Sequence, residues 1–328
     1  MPALSIAVWR ENAERLPNTV PANRVNELFN QITMAFRTTG NGFRIFVCAE
    51  FFFMNANRGE DDIRWYTKKQ KIETVEGLKS LSRGYRGILL VGGTICWAES
   101  RKKPFSKTEW RVYNEAPVCY NGNLLELYRK RLPGGEVMNS DALRIYRNRK
   151  GNIDRTFTAR IADSDDGLPQ YAEQSDTRSL DALSSHVGAK IKKGTEYEAP
   201  GVQSAYEQYA DRIDFIQGTD EGSFRIPGTG FTGGVEICQE QNSATLKKTS
   251  ALGPTNFHLL TSNSVSPTNG NENIADPGYF VHADTSCEPL VVHHIGGVAT
   301  TVPRTDWTDL TDKLHILNLP MPANLPST

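Results

Sequence analysis

Residues 228–241 read GTGFTGGVEICQEQ, and the fold turns on how this stretch is parsed. A glycine-rich lead-in gives way to a short apolar strand, Val235-Glu236-Ile237, which delivers Cys238 into a polar segment able to start a helix. A thiol at a strand-to-helix corner has an exposed Cβ and helix N–H groups nearby, and both favour thiolate chemistry. Glu236 and Glu240 flank it and oppose that tendency. A free cysteine is equally well a small buried hydrophobe, so partners elsewhere in the chain must decide. Gly228, Gly230 and Gly233 spell G-x-G-x-x-G, yet they precede the strand instead of following one. Dinucleotide binding needs strand, glycines and helix in that order, so that reading is rejected.

With 328 residues, 38% of them apolar, the chain can build one large α/β domain or two smaller ones. A net charge of -1 argues against a general nucleic-acid binder. The 5 cysteines form no C-x-x-C pair and their odd count leaves at least one unpaired, which is cytosolic usage. The opening residues MPALSIAVWRENAERLP are neither a signal peptide nor a membrane span, and no later stretch is long enough to cross a bilayer. A cytoplasmic protein that binds neither nucleic acid nor membrane is the expectation.

Working outward from Cys238, Leu4–Trp9 reads as a buried strand. In 21–36, Val25, Leu28, Phe29, Ile32 and Phe36 recur at helical spacing. The apolar run Phe43–Ala49 ends in Glu50, followed by Phe51-Phe52-Phe53. A carboxylate placed between an apolar strand and three aromatics is expected to be partly desolvated, as a working base would be. A helix over 73–83 and a buried strand over 87–93 follow, then a charged, loop-like stretch at 100–109. Val112–Cys119 and Leu124–Tyr128 form a hairpin about Asn121-Gly122, ending in the basic cluster that holds Lys130. The segment 137–216 carries no motif and reads as an insertion too long for an ordinary connection. Beyond Cys238 the pattern predicts a short helix within 243–252, a strand over 257–262, and a hairpin of 279–283 with 290–295. Residues 296–328, with Pro320, Pro322 and Pro326, read as an extended tail. Of the 6 histidines none shows a ligand spacing, and no metal site is expected.

The order strand–helix–strand–Glu, then strand, hairpin and Lys, then strand–Cys–helix–strand resembles the nitrilase superfamily of carbon–nitrogen hydrolases. Three segments carry the likeness: Glu50 after RIFVCA, Lys130 closing VYNEAPVCYNGNLLELYRK, and Cys238 in VEICQE. The chain departs from the family pattern where Ala49 stands in place of a proline. It also lacks the phenylalanine-proline-glutamate segment after the cysteine, and the long insertion separates Lys130 from Cys238.

The resemblance implies an α/β fold, a four-layer α-β-β-α sandwich, formed by a single domain over 1–328 with the 137–216 insertion. It implies a catalytic set in which Cys238 is the nucleophile, Glu50 the proton shuttle and Lys130 the oxyanion partner. Glu136 and the backbone N–H of Gln239 would help to bind substrate, and Asn23 sits where the family commonly has asparagine. The activity implied is hydrolysis of a small amide, with a nitrile as close variant, by a homo-oligomer without cofactor or metal. A soluble acyltransferase using the same thioester, and a non-catalytic binding or effector protein on the same scaffold, are the alternatives.

Overall fold

The computed structural model describes residues 3–11, 20–37, 42–54, 65–101, 109–131, 144–145, 197–198, 213–216 and 218–321. The chain opens with β1 (Ala3–Trp9), α1 (Pro21–Phe36), β2 (Phe43–Cys48), β3 (Tyr66–Thr67) and α2 (Lys68–Gly84). It continues with β4 (Ile88–Val91), β5 (Ile95–Arg101), β6 (Glu109–Tyr120) and β7 (Asn123–Arg129). Most of the insertion lies outside the described residues; within it stand β8 (Arg144–Ile145), β9 (Tyr197–Glu198) and β10 (Ile213–Phe215). The second half contributes β11 (Ser223–Arg225), β12 (Thr232–Ile237), a 3-10 turn over Cys238–Ser243, and α3 (Thr245–Thr249). It closes with β13 (Thr255–Ser262), β14 (Ile274–Asp284), β15 (Leu290–Ile295), β16 (Val298–Thr301), β17 (Thr308–Asp309) and β18 (Leu314–Pro320).

Two sheets result. The first runs β17-β18-β1-β2-β4-β6-β5-β3, with β7 and β10 also paired to the long β6; the second runs β11 through β16 in sequence order. The alternation of each strand assigns its side chains to layers. Leu4, Ile6 and Val8 of β1, Ile45 and Val47 of β2, and Leu89 and Val91 of β4 meet Val235, Ile237, Phe257, Leu259 and Val281 of the second sheet. The intervening residues Ala7, Trp9, Phe46, Cys48, Ile88 and Leu90 pack against Leu28, Ile32, Val75 and Leu78 of the two helices. Strands buried on both faces read as unbroken apolar runs, which is how β1, β2 and β4 stand in the sequence. The layers therefore stack helix, sheet, sheet, helix as expected, the last represented by the segment from Cys238 through α3.

Local details depart from the sequence reading for identifiable reasons. Helix α2 begins at Lys68, not 73, because Thr67 and Gln70 form a capping box: Gln70 N donates to Thr67 Oγ1 at 3.2 Å and Thr67 N donates to Gln70 Oε1 at 2.9 Å. In α1 the buried stripe runs Arg24, Leu28, Ile32, Ala35, and Phe29 stands outside it, 48% exposed. The helix expected over 243–252 is interrupted at Ala244, whose φ of 52° is left-handed and cannot continue a right-handed helix. The glycine-rich lead-in serves packing: a Cβ on Gly234 would stand 2.4 Å from Leu246 Cδ2, so only glycine lets α3 seat on β12.

The segment read as an extended tail is a sheet partner. Strand β18 pairs antiparallel with β1 from Ala3↔Pro320 to Trp9↔Leu314. Leu317, 1% exposed, thereby enters the core between the sheets, opposite Ile6. Leu317→Ala is expected to lower the unfolding free energy by about 3 kcal/mol in urea titration. The half-buried Leu319, two residues on, should cost about 1 kcal/mol on the same change.

Candidate active site

The carboxyl ends of the parallel strands from both sheets gather on one edge. Ala49 N donates to Trp9 O at 3.0 Å, and Glu50 N donates across to Ser262 O of β13 at 3.2 Å. Thr261 Oγ1 donates to Cys48 O at 2.9 Å, and Thr261 is the register partner of Ile237. Glu50 and Cys238 therefore each follow the end of a strand, in two sheets that are stitched together at this point.

Glu50 is fully buried, and Lys130 is 1% exposed. Lys130 Nζ donates to Glu50 Oε1 at 2.7 Å, and Asn114 Nδ2 donates to the same oxygen at 2.9 Å. The Lys130 ammonium also lies 5.7 Å from the centre of the Phe51 ring. Phe51 has a φ of 60°, a conformation that non-glycine residues adopt at a cost of about 1–3 kcal/mol and that clusters at functional sites. Backbone contacts fix the lysine from both flanks: Lys130 N donates to Asn114 O at 2.8 Å, and Gly218 N donates to Lys130 O at 3.1 Å. Gly218 stands where the chain returns from the insertion. A Cβ there would lie 1.9 Å from the Arg129 carbonyl oxygen, so the approach requires glycine. Arg131 adds hydrogen bonds from Nη2 to Thr219 O at 2.9 Å and Asp220 O at 2.6 Å.

Cys238 is 8% exposed and has a φ of 59°. This left-handed corner turns β12 into the 3-10 turn and lifts the residue out of the strand direction. The thiol is followed by a six-residue 3-10 turn and the five-residue α3, so dipole assistance is small. The two flanking acids are both buried and engaged. Glu236 faces away from the core: its Oε1 accepts from Leu246 N, and its Oε2 lies 2.9 Å from His258 Nε2. Glu240 accepts from Tyr128 Oη at 2.9 Å and Ile237 N at 3.0 Å on Oε2, and from Arg131 N on Oε1. Burial raises the Glu240 pKa to about 7, against the lowering effect of the Arg131 and Ile237 N–H groups. Burial also lifts Cys119 to about 12 and Cys48 well above its ordinary value, which suits them to core packing and not to reaction.

Of the residues singled out from the sequence, Glu50 and Lys130 are in direct contact, and the Glu240 hydrogen bonds tie Ile237, the residue before Cys238, to Tyr128 and Arg131 on either side of Lys130. Gln239 lies half-buried in the 3-10 turn. Glu136 falls outside the described residues. Asn114 escaped sequence reasoning, since an isolated amide within a strand carries no periodic signal. Among the described residues no group of three His, Cys, Asp or Glu side chains could hold a metal ion, and no helix is long and apolar enough to cross a membrane.

The class so defined is an α/β two-sheet sandwich with a thiol and a buried carboxylate–ammonium pair at its strand ends. Solved structures similar to the chain include members of the nitrilase superfamily. Saccharomyces cerevisiae Nit3, of branch 10 of that superfamily, is 12% identical, with a TM-score of 0.49 over 97% of this chain and 90% of its own. An amidase of the superfamily from Nesterenkonia AN1 is 9% identical, with a TM-score of 0.44 over 97% and 90%. A glutamine-dependent NAD+ synthetase from Acinetobacter baumannii is 11% identical, with a TM-score of 0.45 over 97% of this chain and 46% of its own. No protein-family model and no curated protein matches the sequence.

Behind Glu50, the residue that accepts its N–H belongs to a buried polar cluster. Ser262 Oγ donates to Asp284 Oδ2 at 2.6 Å and lies 2.6 Å from His282 Nε2, which must then be the protonated ring nitrogen. Burial alone would raise the Asp284 carboxyl. The hydrogen bonds from Ser262 and from the N–H groups of Val265, Ser286 and Cys287 outweigh it and hold the pKa below its ordinary value. His282 is pushed down to about 4, by burial first; Asp284 opposes this and Arg10 adds to it. An unfolded chain takes up this proton near pH 6.5 and the folded chain near pH 4, so the stability due to neutral His282 is complete above pH 6.5. It is lost as the pH falls towards 4. Urea titrations at pH 7 and pH 4 should show a loss about 3 kcal/mol smaller for His282→Gln than for the unaltered protein. An equal acid loss in both would mean that His282 is already protonated in the fold.

Proposed function

We propose that the protein is a thiol-dependent hydrolase of a non-peptide carbon–nitrogen bond, with a small amide as substrate and a nitrile as the close variant. One observation carries this reading: a lysine ammonium and a glutamate carboxylate share a buried hydrogen bond at the strand ends where Cys238 sits on a left-handed corner. Cleaving an amide requires a nucleophile, a proton shuttle, and a positive group for the developing oxyanion. Cys238 attacks the carbonyl carbon while Glu50 accepts the thiol proton. The carbonyl electron pair moves to oxygen, where Lys130 and the Gln239 N–H balance its charge. As the pair returns, the carbon–nitrogen bond breaks and Glu50 gives its proton to the departing nitrogen, leaving a thioester on Cys238. Water then attacks the thioester, Glu50 takes its proton, and the acid leaves as the proton returns to the thiolate. Protons and electron pairs come from Cys238, Glu50 and water, so the reaction needs no cofactor.

Cys238→Ala, folded by circular dichroism, should lose at least about a thousandfold in ammonia release from any amide the unaltered protein hydrolyses, because the covalent route is gone. Retention of a tenth of the activity would exclude the thioester mechanism. Lys130→Arg should fail nearly as badly as Lys130→Ala. The planar guanidinium on a longer arm keeps the charge but does not fit where a compact ammonium meets the buried Glu50 Oε1. Turnover restored by arginine would assign Lys130 a general electrostatic role in place of oxyanion contact.

A further inference from the structure

We propose that Glu240 is a positioning residue that locks the Lys130 segment to the Cys238 corner, so that the ammonium and the thiol keep a fixed relation. This rests on the reading of Lys130 and Cys238 as working partners. Three donors converge on the Glu240 carboxylate from two parts of the chain. Tyr128 Oη and Arg131 N bracket Lys130 on one segment, and Ile237 N immediately precedes Cys238 on the other. Glu240 itself is two residues past the cysteine, fully buried, and near enough to Lys130 to feel its charge. Tyr128, 1% exposed, belongs to the core between the sheets, so neither partner can be replaced by water without opening that core.

Three donors on two oxygens suit a carboxylate, the form Glu240 takes as the pH rises above about 7. Oε1 faces one backbone N–H and Oε2 faces another, together with the Tyr128 hydroxyl. A glutamine would turn its own NH2 towards one of those N–H groups whichever way the amide is set, and an aspartate is one methylene too short to span both segments. Glu236 provides the contrast. It is an equally buried acid two residues before Cys238, but its carboxylate accepts from Leu246 N and lies against His258 on the opposite side.

The test reads the thiol directly and does not require a known substrate. Alkylation of Cys238 by iodoacetamide is followed by peptide mass spectrometry from pH 5 to 10, in proteins whose fold is checked by circular dichroism. Removing a negative charge next to a thiol lowers its midpoint, whereas releasing the Lys130 ammonium from its place raises it, so the two effects differ in sign. Glu240→Gln is expected to raise the midpoint by about one unit and slow alkylation at pH 7 by about tenfold. Glu236→Gln should lower the midpoint or leave it in place. Tyr128→Phe, which keeps the charge and removes one bond, should give a smaller rise and decides the question if Glu240→Gln does not fold. A midpoint that falls or stays fixed in folded Glu240→Gln, or in Tyr128→Phe where that variant decides, overturns the proposal. Lys130→Ala separates the two readings: a rise there without one in the Glu240 variant removes only the positioning role. No rise in either removes the partnership of Lys130 and Cys238 as well.

Discussion

The Glu50 carboxylate and the Lys130 ammonium, 2.7 Å apart and closed off from water, set the terms for the rest of the fold. Moving two charges out of water costs several kcal/mol for each ion. Their attraction offsets this only when the geometry is held and further hydrogen bonds are made. A well-packed apolar pair of similar volume would serve stability as well or better. The pair is therefore weak evidence for a stabilising device and better understood as a chemical one, whose geometry the surrounding structure has to enforce.

Enforcement falls to adjacent residues on β6 and β7 that serve opposite faces. Asn114 is on the inter-sheet face, where its side chain donates to Glu50 and its carbonyl accepts from Lys130. Glu115, one residue on, faces the helices and accepts from Trp97 Nε1 at 2.9 Å and Arg129 Nη2 at 3.0 Å, with Lys71 Nζ of α2 at 3.1 Å. The neighbours Arg129 and Lys130 divide in the same way, Arg129 to Glu115 and Lys130 to Glu50. The Trp97–Tyr113 stack, with ring centres 4.1 Å apart, braces this outer network. A register slip of one residue would exchange Asn114 with Glu115 and bring a second carboxylate to Glu50. The apolar alternation of Ala116, Val118 and Tyr120 prevents that slip, and so the core specifies where the charges meet.

What the sequence discloses and what it withholds divide along physical lines. The runs at β1, β2 and β4 were legible because strands buried on both faces are apolar throughout. Helix α1 was legible in both its bounds because Pro21 opens it at a position where a missing N–H costs nothing. The Glu50, Lys130 and Cys238 segments could be singled out by resemblance. The contact of Lys130 with Glu50 could not be read from local pattern, since the two come together across 80 residues. The start of α2 was written in Thr67 and Gln70, but apolar periodicity begins later and drew the boundary inward. The run Leu314-His315-Ile316-Leu317 is buried on both faces like β1 and β2; flanking prolines and the distance to β1 hid its role. Asn114 gave no signal of its own, and Glu240, visible in the sequence beside Cys238, gave none of its contacts with Tyr128 and Arg131, because a hydrogen-bond partner is a fact of tertiary structure.

The second sheet shows how a short outer layer can still hold a reactive corner in place. Among the described residues that side carries the 3-10 turn and α3, and the apolar packing behind β13 and β14 is a small cluster of Leu260, Phe280 and Val292. Polar contacts supply the remaining order. Gln241, fully buried, donates to Thr268 O at 2.9 Å and accepts from Thr268 N at 2.8 Å. Asn271 Nδ2 donates to the carbonyls of Gln241 and Asn242, both at 3.0 Å. Asn273 N donates to His258 Nδ1 at 3.1 Å, and His258 Nε2 lies 2.9 Å from Glu236 Oε2. Such bonds contribute about 1 kcal/mol each, less than a packed helix would, yet they are directional where packing is not. The turn after Cys238 is thus fixed from behind by the 268–273 loop and from the front by Tyr128 and Arg131. A left-handed residue held on both sides cannot relax to an ordinary conformation, so the strain at Cys238 persists as part of the native structure.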